Sequence, residues 1–141
     1  QVIRRAAMLL LVLGALQAQA EPRFTAVEVW IDSGDRPLAA WQVEVEGVEG
    51  AAAKIVGIEG GGSEAFRPAP FYDTEARLEG RVVLADYTVR EDAPKGRIRV
   101  AVLHVMETGA PRYAARAVAA AAPGGGKIEV EVEVVPQGEK R

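Results

Sequence analysis

Residues 128–135, IEVEVEVV, alternate Ile128, Val130, Val132 and Val134 with Glu129, Glu131 and Glu133. Side chains of an extended strand point to opposite faces with a period of two, so this pattern predicts a strand with one face in a core and the other in water. The same period extends through the chain. FTAVEVWIDS (24–33) sets Val27, Val29 and Ile31 against Glu28, Trp30 and Asp32. LAAWQVEVEGV (38–48) sets Trp41, Val43 and Val45 against Gln42, Glu44 and Glu46. Ser33, Gly34, Asp35, Arg36 and Pro37 between them are turn formers, so these two runs are expected to pair as a hairpin or to meet at a corner. Further strands are predicted over 54–59, 81–89 and 97–107, separated by the breaks at 60–63, 91–96 and 109–111.

The alanine-rich stretch 111–126, PRYAARAVAAAAPGGG, supports two readings. Alanine favours a helix, and Pro111 suits a first helical position. A strand is preferred because Gly124, Gly125 and Gly126 lead straight into the run at 128–135, and a hairpin is the shortest way to pair it. The longest irregular region, 60–80, contains one expected helical turn at 73–78. Short strands with no convincing helix between them predict an all-β fold, an antiparallel β-sandwich or barrel, over residues 21–141.

Residues 1–20 read as a signal peptide outside that domain. Arg4 and Arg5 precede the apolar run at 6–16, and Ala18 and Ala20 place small residues where a signal peptidase cuts. The run is short for a bilayer span, which disfavours the alternative of an uncleaved anchor. The expected location is therefore secreted or periplasmic. Cleavage would leave 17 − 2 = 15 basic and 20 acidic residues, a net charge of −5 with no basic cluster, so neither nucleic acid nor an anionic membrane surface is an expected partner. The chain has no cysteine, so its stability has to come from packing.

The segments VEVWIDSGDRPLAAWQVEVE, AKIVGIEGG, GRVVLADYTV and PKGRIRVAVLHV follow one another with glycine turns. In this order they resemble the cohesin-type and carbohydrate-binding-module-type β-sandwiches of exported bacterial proteins. The aromatic-centred Ala39, Ala40, Trp41 strand and the Gly96 that precedes the long strand at 97–105 carry the resemblance. It implies a jelly-roll-like fold and a non-catalytic binding role, with an extracellular or periplasmic protein, or a polysaccharide, as partner.

Catalytic patterns are weak. His104 is the only histidine, and its parity groups it with Val100, Val102 and Met106, so structural packing is the expected role. Ser33 and Ser63 lie in turn-forming stretches outside any nucleophile elbow. GGGK at 124–127 leads into a strand, where a phosphate loop would open a helix. No cofactor is expected. Calcium held by Asp32 and Asp35, or by Asp73 and Glu75, is the alternative, with no D-x-D-x-D-G pattern behind it. The glutamate ladders read as solvated faces. A small glycosidase would need two acids opposed across a cleft. The preferred candidate surface is aromatic: Trp30 on the polar side of its strand, with Phe66, Phe71 and Tyr72 from FRPAPFYD, and Arg67 and Asp73 as polar orienters. The alternative is that these rings only seal the sandwich. A protein partner has two further places to bind, a sheet face or an open edge strand.

Overall fold

The computed structural model describes residues 21–48, 52–72 and 80–137; the expected leader (1–20) and the expected helical turn (73–78) lie outside the described residues. Each predicted run forms a strand: β1 (Arg23–Asp32), β2 (Ala40–Glu46), β3 (Ala53–Gly60), β4 (Arg81–Tyr87), β5 (Arg97–Glu107), β6 (Ala114–Ala121) and β7 (Glu131–Pro136). A single 3-10 turn, Glu64–Phe66, stands between β3 and β4. All pairings are antiparallel and make two sheets, one of four strands ordered β3-β5-β1-β7 and one of three ordered β4-β2-β6. Odd-numbered strands occupy the first sheet and even-numbered strands the second, so each connection between consecutive strands crosses from one sheet to the other.

The inward rows follow the period of two. Val27, Val29 and Ile31 of β1 and Val43 and Val45 of β2 are fully buried, and Trp41 is nearly so. They meet Val82 and Leu84 of β4 and Leu103 and Val105 of β5 in one core that spans both sheets. Val130, Val132 and Val134 pack against this core from the edge strand β7 and its approach, as the alternation of 128–135 predicts.

The first loop makes a corner. Ser33 N–H donates to the Gly96 carbonyl, Leu38 N–H to Pro94 and Ala39 N–H to Ala121, so the chain between β1 and β2 is fastened to its neighbours while it changes sheet. Residues 114–121 are a strand, as preferred, because β2 offers a ladder from Ala40↔Ala121 to Glu46↔Ala114 that outweighs alanine's small helical preference. The expected hairpin from this strand into the next does not form. Gly124 and Gly125 adopt positive φ and turn the chain, and Ile128 N–H still reaches the Ala120 carbonyl, but β7 then crosses to β1. That move covers the edge of β1, setting Val134 opposite Val29 and Val132 opposite Ile31.

A bulge corrects the reading of β5. The register shifts where Val29 pairs with Ala101 and Trp30 with Arg99. One extra residue reverses the facing of everything beyond it. Val100 therefore enters the core, whereas His104 and Met106 are partly exposed.

Candidate functional site

The candidate aromatic residues do not form one surface. Phe66 lies in the core, 0% exposed, its ring edge-on to Trp41 at a centroid distance of 6.2 Å. Its placement is local in origin. Gly61 N–H donates to the Phe66 carbonyl and Phe66 N–H to Ser63, closing a tight loop whose only buried side chain is Phe66. At Gly60 a Cβ would meet the Arg67 carbonyl oxygen at 1.9 Å, and at Gly61 the Arg99 carbonyl oxygen at 1.9 Å, so this loop closes only with glycine there. Arg67 is exposed at the end of the turn, 4.0 Å from Glu64. Trp30 stands on the outer face of the four-stranded sheet, with the Arg97 guanidinium carbon 4.0 Å from its ring centroid. Phe71 and Tyr72 are at the β4 edge of the other sheet, where Phe71 and Ala85 exchange both backbone hydrogen bonds. Asp73 lies outside the described residues.

Phe71 does gain an aromatic partner, Tyr87, with ring planes within 10° of parallel and centroids 6.3 Å apart. Both rings face water, 65% and 62% exposed. Beside them Ala40, Ala85, Ala119 and Ala121, with Gln42, form the floor of a shallow depression of about 250 Å³. Val89 is 89% exposed just beyond Tyr87, and Arg90 and Lys127 stand at the margins. The patch is aromatic and aliphatic at its centre, with the charged side chains at its margins. Tyr87 shares the outward row of β4 with Arg81, Val83 and Ala85, and Phe71 comes beside it only through the pairing of Phe71 with Ala85.

Lower on the same face Glu44 is buried, contrary to its expected place on a solvated row. Its carboxylate takes hydrogen bonds from Arg81 Nη1 of β4 at 3.1 Å and Arg116 Nη2 of β6 at 2.8 Å, joining all three strands. At the far end of the other sheet, Glu107 is likewise buried and accepts from Arg23 Nε at 2.9 Å and from the Tyr113 hydroxyl. Burial, reinforced by the bond to Glu107 and its negative charge, pushes the Tyr113 hydroxyl well above its ordinary pKa of 10.0. Asp86 is raised as well, by burial, with the Tyr87 N–H opposing the shift.

His104 Nε2 meets Glu59 Oε2 at 3.1 Å on the outer face of the four-stranded sheet. Neither serine is near it. Ser63 lies beside Arg99, five residues along β5, about 16 Å away at strand spacing. Ser33 is paired through its N–H to Gly96, further still. Asp32 Oδ1 is engaged by the Gly34 N–H at 2.9 Å, and among the described residues no group of three His, Asp or Glu side chains converges on a metal position.

A second concavity flanks Trp30. An open cleft of about 450 Å³ is walled by Trp30, Ser63, Pro94, Lys95, Arg97 and Arg99. Arg99 pairs with Glu28 at 3.0 Å and Arg97 with Glu133 at 3.6 Å, and Lys95 has no ion pair among the described residues. Trp30 Nε1, Ser63 Oγ and Arg99 Nε are buried polar atoms of these walls without a hydrogen-bond partner. Ser33 Oγ and Trp41 Nε1 share that condition elsewhere among the described residues. Comparison of the chain with protein-family models, with curated proteins and with solved structures finds no match.

Proposed function

We propose that this chain is an exported, non-catalytic interaction module of cohesin-like type that holds a protein partner on the outer face of its three-stranded sheet. The parallel, exposed Phe71–Tyr87 pair beside an alanine-lined depression carries the reading. Rigid aromatic side chains lose little entropy on binding and give up a large apolar area, so they dominate interface energies. A floor of methyl groups lets a partner come close to the sheet without displacing long side chains. The export reading rests on Arg4, Arg5, the apolar run and the Ala18–Ala20 pattern. The alternation of strands between two sheets is in keeping with a jelly-roll-like relationship. Among the described residues neither serine stands close to His104 and Glu59, which favours a binding role over serine-type hydrolysis.

Exposed aromatic rings also favour a second reading, a carbohydrate-binding module, because an apolar sugar face can lie on a ring that faces water. One experiment separates the two. Affinity capture from the native exported fraction is compared between wild type and the double variant Phe71→Ser, Tyr87→Ser, with Phe24→Ser as a control exposed on the other sheet. A protein retained by wild type and the control, and lost with the double variant at unchanged melting temperature, supports the protein reading. Retention unaffected by the double variant removes it. Calorimetric binding of neutral oligosaccharides that depends on the same two rings would replace it with the sugar reading.

A further inference from the structure

We propose that the Trp30 cleft is a binding site for a carboxylate-bearing sugar, a uronic acid residue, separate from the aromatic face of the other sheet. Three cationic side chains, Lys95, Arg97 and Arg99, converge on it in a chain whose net charge is −3. A carboxylate is the group that an arginine fork and a nearby ammonium recognise together. The existing ion pairs leave capacity for it. The Arg97–Glu133 contact is long at 3.6 Å, and Lys95 is uncommitted among the described residues.

Shape points to a compact ligand. The cleft, about 450 Å³, is within the range of small-molecule sites, and Trp30 and Pro94 give it apolar walls suited to the C–H faces of a pyranose ring. An extended peptide would need free backbone groups, whereas here Gly62 N–H is already bonded to the Arg99 carbonyl at 3.1 Å. Arg97 sits over the indole and is 42% exposed in its side chain, so it can turn toward an incoming carboxylate without disturbing the sheet.

The chain has two tryptophans, which makes the test direct. In a proton–nitrogen correlation spectrum their indole N–H groups give two resonances, assigned with Trp30→Phe. Titration with sodium glucuronate is expected to move the Trp30 resonance saturably, with Kd on the order of 1 mM, while Trp41, in the core, stays still. Arg97→Gln should weaken binding roughly tenfold and leave the Trp41 resonance unchanged. Glucose at the same concentrations should have no effect. Absence of a saturable shift overturns the proposal, and so does an equal response to glucose. Sodium sulfate matching glucuronate would show an unselective anion site and overturn the assignment to a sugar.

Discussion

Replacing Phe66 by alanine tests whether this ring belongs to the core or to a binding surface. The side chain is 0% exposed and packs edge-on against Trp41. Phe→Ala at such a site costs about 3–5 kcal/mol, from lost apolar burial and the cavity left behind. For roughly 120 residues at about 2.1 cal/mol/K each, the entropy of unfolding is about 0.25 kcal/mol/K, so the melting temperature should fall by roughly 12–20 °C. Against a total stability of about 5–15 kcal/mol the variant still folds at room temperature unless the wild type is at the low end. Phe71→Ala, which removes a ring that is 65% exposed, should change stability by no more than about 0.5 kcal/mol, or roughly 2 °C. Thermal melts followed by far-ultraviolet circular dichroism give both values, and a red shift of Trp41 emission in Phe66→Ala would report the opened cavity. A fall of less than about 4 °C for Phe66→Ala, or a larger fall for Phe71→Ala, would refute the assignment of these rings.

Glu44→Gln should destabilise the chain by about 1–3 kcal/mol in urea unfolding, because the buried acceptor shared by Arg81 and Arg116 loses its charge. Arg116→Ala should cost less, since that arginine is 61% exposed in its side chain and Arg81 remains paired. Tyr113 predicts an alkaline effect. Its hydroxyl ionises at a higher pH in the folded chain than in the unfolded one, so its contribution to stability is complete below about pH 10 and is lost as pH rises above that. Tyr113→Phe should flatten this decline, and a spectrophotometric titration of wild type should show one of the three tyrosines ionising last. A decline that is identical in both proteins would contradict the assignment.

Most of the fold was legible because its strands have one wet and one dry face, and Val27, Val29, Ile31, Trp41, Val43 and Val45 all lie where their parity puts them. What parity cannot supply is the partner of each strand. The hairpin expected at Gly124–Gly126 fails for that reason, since the deciding contact, β7 on β1, joins segments about a hundred residues apart. A single inserted residue is also invisible to periodicity, which is why His104 was grouped with Val100 across a bulge. At the candidate sites, residue type pointed to exposed rings, and it held for Phe71. It misled for Phe66, which the Gly60–Gly61 loop folds inward, and it missed Tyr87 and the arginines that cover Glu44, because those roles arise only when strands are laid side by side.

The strict alternation of strands between the two sheets governs the order of assembly. Among the described residues no strand has its ladder partner in the strand just before or after it, and local hairpin pairing is limited to the bridge at Ala121 and Lys127, so the transition state must close large loops. β1 has to wait for β5, with Arg23 reaching Glu107 84 residues away, and its second edge stays open until β7 arrives. Folding on the scale of milliseconds to seconds follows from such a contact order. A partly synthesised chain therefore has few native pairings to settle into before its later strands arrive, and under the proposed export reading that delay would keep the chain extended for passage.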